Sequence, residues 1–189
     1  GSSRSFVDFR PSNKSIDNSD QITCLVLPEG VHSECHLLFN FSLRCALMLP
    51  GVKFIWRLHP LISYRDLSRK NNKLQRLPEN IILSNSSIEE DIVRSQFSIY
   101  RGSTAIITAL SSGIQPIYLS FQNEMTIDPL FELDNKWRKI VTTSEEVQKL
   151  IVGSDNLSSD HLREDKNTAI AYAKSLFTPM NHKTLLDCK

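Results

Sequence analysis

Residues Phe97–Leu119 read FSIYRGSTAIITALSSGIQPIYL. The first four form a short apolar run typical of a strand, and Thr104–Ser112 form an apolar helix that Gly113 ends. Gln115–Leu119 is a second apolar run and predicts another strand. A strand, a helix and a strand joined by short links are the unit from which parallel sheets are built. We therefore expect a sheet whose faces are covered by helices.

The same alternation continues on both sides of this unit. About six strands and six helices predict an α/β fold, a Rossmann-like three-layer sandwich around a mostly parallel sheet. Ser33, Ser87 and Ser144 are the predicted N-caps of three helices. The other predicted strands are Gln21–Leu27, Val52–Leu58, Ile81–Leu83 and Lys139–Val141, and the other predicted helices are Ser33–Leu49, Ser87–Ser95, Ser144–Val152 and His161–Phe177, with a loosely helical connection over 61–76.

Composition narrows the class of protein. The 189 residues are 40% hydrophobic and 23% charged with a formal net charge of +1, which argues against a disordered chain and against a protein that coats nucleic acid. No apolar run reaches the roughly 18 residues that a membrane span needs. Residues 1–20 are expected to be a tag or flexible linker, since Gly1–Ser3 resembles an expression scar. Residues 21–189 are expected to form a single domain with a C-terminal helix, in the cytoplasm or at the inner face of a membrane.

The cysteines predict a reducing environment. The four cysteines, at positions 24, 35, 45 and 188, form no C-x-x-C pair. We expect reduced and mostly buried thiols of a cytosolic protein. His32 and His36 have the i,i+4 spacing of a helical zinc site, but no further side chain completes such a set. Neither a metal nor a cofactor is therefore expected.

The loops after the strands are the informative positions, because ligands of such sheets bind at the carboxyl ends of the strands. The strongest candidate is Arg101–Thr104, which leads from a strand into a helix. Gly102 allows the backbone to approach an anion, and Ser103 and Thr104 add hydroxyl donors beside the first amides of the helix. The loop matches neither a Walker A sequence nor G-x-G-x-x-G. The alternative is that Ser103 only caps the helix.

Two other strands end in residues that suit the same ligand. His59 precedes Pro60, which favours an extended conformation for it, and an imidazole there can donate to a phosphate oxygen or act as a general acid. Gly30 permits close backbone approach, although a plain turn with a solvated Glu29 explains it equally. Further candidates at strand ends are Arg57 and Arg101 as phosphate cations, Ser84 for a base edge, and Glu124 and Asp128 for ribose hydroxyls, with helix capping as the alternative for the two carboxylates.

These residues also carry a family resemblance. The segments Val52–Pro60, Leu77–Ser86 and Tyr100–Leu119 resemble the C-terminal, donor-binding domain of GT-B glycosyltransferases. In that class a Gly-Ser/Thr helix start is commonly followed by Ala, Gly and Pro-[IV] at the entry to the next strand. The likeness covers about residues 21–152. The matching residues are Ala109, Gly113, Pro116 and Ile117, and the motifs that resemble those of bacterial sialyltransferases and related enzymes of surface-polysaccharide synthesis are Glu29-Gly30, His59-Pro60 and Ser103-Thr104.

The resemblance implies a nucleotide-sugar-binding domain of a glycosyltransferase that builds a surface glycan or polysaccharide without a metal. His59 would contact the donor phosphate, Ser103 and Thr104 would bind the same phosphate, and the loop after the third strand would meet the nucleobase. Glu29 would be a candidate catalytic base, although one acidic residue precedes Gly30 here where the family has two. The donor is a substrate rather than a cofactor, and a CMP-linked sugar is one option. The glycan acceptor would bind through a separate N-terminal domain, so the isolated domain is expected to be nearly inactive.

Two other functions fit the same sequence. A nucleotide-sugar epimerase or hydrolase shares this architecture, although it would need more acidic or histidine side chains in the cleft. A non-catalytic α/β binding domain is the alternative from a different class. Residues 52–76 carry seven Lys/Arg against one Asp, a basic stretch that could face an anionic donor, an acceptor or a membrane surface, or be a solvated face. No nucleic-acid partner is expected. Peripheral association with a membrane is one of the interactions that the basic stretch allows.

Overall fold

The computed structural model describes residues 21–122, 124–134, 136–153 and 160–177. Within them the strands, in chain order, are β1 (Thr23–Leu27), β2 (Lys53–Trp56), β3 (Ile81–Leu83), β4 (Phe97–Tyr100), β5 (Gln115–Leu119) and β6 (Lys139–Val141). They form one six-stranded sheet in the order β3-β2-β1-β4-β5-β6, and every neighbouring pair is parallel. The predicted Rossmann-like α/β fold is confirmed, with a wholly parallel sheet. The predicted linker over 1–20 and Cys188 lie outside the described residues.

Helices cover both faces of this sheet. Within the described residues they are α1 (His32–Met48), α2 (Tyr64–Lys70), α3 (Ile88–Val93), α4 (Ala105–Ser111), α5 (Ser144–Val152) and α6 (Asp160–Ser175), with a short 3-10 turn at Asn72–Leu74. α1 packs against α5 on one face, and α4 packs against α6 on the other. On the α1 face the ring of Phe39 stacks on Trp56, with centroids 4.4 Å apart. The sheet is therefore enclosed between two apolar layers.

The central strand β1 supplies side chains to both layers. Cys24 and Val26 belong to the core on the α1 face, and Leu25 and Leu27 belong to the core on the α4 face. All five residues of β1 are buried. A continuous apolar run is what a parallel strand covered on both faces requires. Each such aliphatic side chain contributes roughly 1.5–3 kcal/mol when it is fully buried.

Two of the three predicted serine N-caps differ from the structure. Ser87 caps α3 as predicted, in a capping box with Glu90. At α5 the cap is Thr143 rather than Ser144, because Glu146 stands three residues after Thr143 and completes a reciprocal box with it. At α1 the N-cap is Val31, two residues before the predicted Ser33, and it offers no side-chain hydrogen bond.

The strand order creates a switch point between β1 and β4. These strands pair with each other at the centre of the sheet. The connections from them lead to opposite faces, into α1 and into α4. Loops that diverge in this way leave a crevice at the carboxyl ends of the two strands. At the periphery, β3 and β6 form the two edges of the sheet with three residues each.

Candidate functional site

A cleft of about 440 Å³ opens at the carboxyl edge of the sheet. It lies between the loops that follow β1, β2 and β4, so it occupies the switch point of the fold. Its volume is in the range of small-molecule sites. The residues that line it are Leu27–Gly30, Arg57–Pro60, Ile88 and Gly102–Ala105. Seven of the predicted site residues meet here, namely Glu29, Gly30, Arg57, His59, Gly102, Ser103 and Thr104.

His59 packs directly against Gly30. A Cβ atom on Gly30 would lie 2.9 Å from Nδ1 and Cε1 of the imidazole, so the absence of a side chain at Gly30 is what lets the ring lie there. The backbone N–H of Leu61 donates to Nδ1 of His59 at 3.3 Å. In the neutral ring Nδ1 is then the acceptor, and Nε2 carries the proton. The geometry therefore makes Nε2–H the hydrogen-bond donor that His59 can offer to a ligand.

Glu29 and Gly102 join the β1 loop to the β4 loop across the cleft. The backbone N–H of Gly102 donates to Oε1 of Glu29 at 3.2 Å. A Cβ atom on Gly102 would overlap the carboxylate carbon of Glu29, so this approach also requires glycine. The backbone amide of Gly102, which was predicted to face an anionic ligand, thus lies against the carboxylate of Glu29.

Ser103 and Thr104 follow Gly102 at the start of α4. Thr104 rather than Ser103 is the N-cap residue, and its side chain makes no capping hydrogen bond. The backbone carbonyls of both residues accept the first helical N–H groups, from Ile106 at 3.2 Å and from Ile107 at 3.1 Å. Capping of α4 therefore does not use the Thr104 hydroxyl. Both side chains belong to residues that line the cleft.

Arg57 is held at the cleft wall by a buried acid that the sequence analysis did not single out. Nη1 of Arg57 lies 2.8 Å from Oδ2 of Asp91, whose side chain is fully buried, and 2.7 Å from the carbonyl oxygen of Ser86. Ser84 donates its hydroxyl to the same Asp91 carboxylate and does not line the cleft. Arg94 binds the other oxygen, Oδ1. Ser84, predicted to meet a base edge, is thus placed as a support for the Arg57–Asp91 pair.

Arg101 and Glu124 lie outside the cleft. Nε of Arg101 lies 2.8 Å from Glu34, and Nη2 lies 2.7 Å from Glu124. Nη1 donates to the carbonyl of Leu119, and the guanidinium covers the ring of Phe121. Burial opposes the charge on Arg101, but hydrogen bonds and attraction from Glu124 and Glu34 outweigh it and raise the pKa of this arginine. The structure therefore places both residues in an ion-pair network outside the cleft, in which the side chain of Arg101 is 5% exposed and that of Glu124 is 49% exposed.

Asp128 is also internal, with 3% of its surface exposed. Its Oδ1 accepts hydrogen bonds from the hydroxyl of Tyr100 at 2.9 Å and from the backbone N–H of Leu130 at 2.8 Å. Its Oδ2 lies 2.7 Å from Arg138. Burial, together with Asp128, raises the pKa of Tyr100, which keeps the phenol protonated as a donor. The carboxylate therefore anchors the loop after β5 and does not reach the cleft.

Within residues 21–122, 124–134, 136–153 and 160–177, no group of three or more His, Cys, Asp or Glu side chains could hold a metal ion. In the same part of the chain no helix is long and apolar enough to cross a membrane.

A wholly parallel sheet in this order, with a cleft at its switch point, defines a Rossmann-like unit of the kind that forms each half of a GT-B glycosyltransferase. Solved structures of glycosyltransferases have a similar fold. The glycotransferase of kitacinnamycin matches with a TM-score of 0.61 and 12% identity, over 96% of this chain and 46% of that one. The glycosyltransferase SnogD from Streptomyces nogalater matches with a TM-score of 0.55 and 14% identity, over 93% of this chain and 45% of that one.

A third match belongs to a different class of enzyme. It is a Listeria monocytogenes protein described as a UDP-N-acetylglucosamine 2-epimerase, with a TM-score of 0.54 and 15% identity, over 84% of this chain and 46% of that one. The chain thus spans less than half the length of these structures. Neither a protein-family profile nor a curated protein matches the sequence. At these identities the likeness establishes the fold, which is glycosyltransferase-like as the sequence resemblance implied.

Proposed function

We propose that this chain is the donor-binding half of a GT-B glycosyltransferase and that its cleft binds the phosphate of a nucleotide sugar. One observation carries the proposal: loops from three strands meet at the switch point and bring together the imidazole of His59, the hydroxyls of Ser103 and Thr104 and the glycines Gly30 and Gly102. Crevices at this position of open α/β sheets bind nucleotides. The missing side chains of Gly30 and Gly102 let the His59 ring and the Glu29 carboxylate lie at this point of the cleft.

The chemistry follows from what these groups can donate. As the glycosidic bond of the donor breaks, negative charge grows on the leaving phosphate. Nε2–H of His59 and the hydroxyls of Ser103 and Thr104 are hydrogen-bond donors that stabilise this charge, and no metal is needed for that role. His59 acts there as a hydrogen-bond donor through Nε2–H, because its Nδ1 accepts from the backbone N–H of Leu61.

Arg57 adds a fixed positive charge to the same wall. Its contact with buried Asp91 holds the guanidinium in one orientation, with 26% of the side chain still exposed. Charge-assisted hydrogen bonds to phosphate are about twice as strong as neutral ones. Because Asp91 compensates part of that charge, Arg57 acts mainly by orienting the donor rather than by net attraction.

The acceptor belongs to a second domain in this proposal. The chain spans 46% of the kitacinnamycin glycotransferase, and the cleft is partly open to solvent. We place Glu29 at the boundary as the candidate base toward an acceptor hydroxyl. The assignment of the acceptor as a growing surface glycan rests on the sequence resemblance alone.

Nucleotide binding tests the proposal. A thermal-shift panel of CMP, CDP, UDP and GDP, followed by calorimetry, should identify at least one nucleotide that raises the unfolding temperature. His59→Ala and Ser103→Ala should weaken that binding at least tenfold. Ser112→Ala, an exposed serine at the other end of α4, is the matched control and should bind like the parent. Absence of binding in the parent, or equal binding in all variants, would refute the proposal.

A nucleotide-sugar epimerase is the second candidate, because one matching structure is described as a UDP-N-acetylglucosamine 2-epimerase. Incubation of the chain with UDP-N-acetylglucosamine and analysis of the sugar product separates the two functions. We expect recovery of the unchanged sugar. Appearance of the 2-epimer would assign the cleft to the epimerase reaction instead.

A further inference from the structure

A second pocket lies at the amino edge of the sheet and shares no residue with the cleft. It encloses about 610 Å³ between the C-terminal half of α1 and residues 73–78, which precede β3. α1 starts beside the cleft and ends near the start of β2, so its C-terminal half lies at the far end of the molecule from the cleft. The proposed nucleotide function does not use this pocket.

The pocket combines an apolar floor with a cationic rim. Its apolar lining comes from Leu43, Leu47, Leu77 and Pro78, and Leu47 is 64% exposed. Arg44, Lys73 and Arg76 line the same pocket, and no carboxylate does. Among the described residues none of these three cations forms an ion pair. Glu145 on α5 lies close enough to attract Arg44 but does not contact it as an ion pair.

Side-chain amides fix the two walls of the pocket in place. Nδ2 of Asn71 donates to Oδ1 of Asn40 at 2.9 Å and ties the 3-10 turn to α1. Nδ2 of Asn80 lies 3.0 Å from the carbonyl oxygens of Ala46 and Leu49, and 2.9 Å from that of Val52. The segment before β3 is thereby held against the end of α1. The pocket is preformed, so binding does not have to order its walls first.

We propose that this pocket binds an anionic lipid of a membrane surface. The acyl chain lies against Leu43, Leu47 and Leu77, and the phosphate head contacts Arg44, Lys73 and Arg76. A purely apolar ligand would leave the cations unused, and a free phosphate would leave the exposed leucine surface in water. Three cations that form no ion pair within the described part of the chain thus lie beside an apolar pocket, although Arg44 also lies 5.8 Å from the centroid of the Phe41 ring. An anionic amphiphile complements both parts of this surface.

Vesicle co-sedimentation of the whole chain tests the proposal. The chain should sediment with vesicles of phosphatidylcholine and phosphatidylglycerol but not with vesicles of phosphatidylcholine alone. Because each cation near an anionic surface strengthens binding severalfold, the triple variant Arg44→Gln, Lys73→Gln, Arg76→Gln should lower binding by about tenfold or more. Its matched control removes the same charge outside the pocket, at Arg65, Lys136 and Arg163, which are all exposed, and should bind like the parent. Equal losses in both triple variants would show bulk attraction, and no binding by the parent would equally overturn the lipid site.

The apolar half of the pocket is tested separately. Leu47→Ser removes the exposed apolar side chain without a change of charge and should reduce vesicle binding, with an unchanged unfolding temperature as the check on folding. Calorimetry should show binding of dodecyl phosphate and none of inorganic phosphate at the same concentration. Vesicle binding that survives Leu47→Ser, or equal affinity for inorganic phosphate, would replace the lipid site with a simple anion site and overturn the proposal.

Discussion

The carboxylate of Glu29 accepts a hydrogen bond from the backbone N–H of Gly102 at 3.2 Å. The negative charge of Glu29, a residue of the β1 loop, therefore lies against the backbone of the β4 loop. In the proposed complex the donor phosphate binds beside this carboxylate. Two negative charges about 4 Å apart repel each other by about 1 kcal/mol in water and by more in a partly buried site. Glu29 therefore sets the affinity of the cleft for anions.

Glu29→Gln should strengthen nucleotide binding roughly fivefold, because the amide keeps an oxygen for the Gly102 N–H and removes the charge. Calorimetry with the nucleotide identified in the panel measures the change. Glu79→Gln removes an exposed carboxylate outside the cleft and should leave the affinity unchanged. Weaker binding by Glu29→Gln would mean that the carboxylate contacts the ligand favourably.

Gly30→Ala should weaken nucleotide binding while the fold persists. The new Cβ atom would lie 2.9 Å from the His59 ring and displace it. The free energy of unfolding should change by less than about 1 kcal/mol, since Gly30 is exposed and has no positive φ. Gly51→Ala is the control, because nothing lies within 4 Å of a Cβ atom there. Unchanged affinity in Gly30→Ala would argue that His59 takes no part in binding.

Asp91→Asn should destabilise the fold by about 2 to 3 kcal/mol, because it removes the buried partner of Arg57 and Arg94. This loss of folding free energy is smaller than for a fully buried ion pair, because the side chains of Arg57 and Arg94 are 26% and 47% exposed. Urea unfolding measures it. Glu89→Gln, on the same helix turn, should be nearly neutral by comparison. An equal effect of the two substitutions would contradict the assigned role of Asp91.

Gly113→Ala should destabilise the fold by about 1 to 2 kcal/mol. Gly113 has a φ of +90° and ends α4, where its N–H donates to Leu110 and the N–H of Ile114 donates to Ala109. Gly153, which ends α5 with a φ of −78°, is the matched control, and its substitution by alanine should be neutral or stabilising. Thermal unfolding compares the two, and similar losses would disprove the requirement for the left-handed conformation.

Stability should fall as the pH rises from 9 toward 11. Burial, with added repulsion from Glu29 and Glu34, raises the pKa of the Cys35 thiol from 9.0 to about 11. The folded state thus favours the neutral thiol, so its stabilisation is complete below pH 9 and is lost as the unfolded thiol ionises first. Burial also raises the pKa of Cys24 and of Cys45.

Urea unfolding over this pH range gives the slope, which is at most about 1.4 kcal/mol per pH unit for each thiol. Cys35→Ala removes one of the three thiols that are buried in the described part of the chain and should make the slope shallower. An identical slope in the parent and in Cys35→Ala would show that Cys35 ionises equally in both states.

The alternation of strands and helices could be predicted because its signals are local. Continuous apolar runs such as β1 and helix ends such as Gly113 depend on neighbouring residues alone. The position of the cleft followed from the same pattern, since loops after parallel strands meet at one edge of the sheet. The side chains of Glu29, His59 and Ser103 were accordingly expected together, and they line one cleft.

The ionic partners could not be predicted, because they depend on contacts between distant segments. Asp91 stands beside Glu89 and Glu90, and no sequence signal separates the buried acid from the half-buried Glu89 or from the capping residue Glu90. Arg101 and Asp128 occupy strand-end loops as expected. Their charges are nevertheless paired with Glu124 and Arg138, and neither residue lines the cleft.

The two edge strands limit how copies of this chain can associate. Among the described residues, β3 and β6 each offer three residues of backbone with one side that pairs with no other strand. Such a short run supplies few donors and acceptors to a strand from another molecule. Any assembly of this chain, including one with a second domain, should therefore form through side chains and loops. We do not expect a strand of another molecule to extend the sheet.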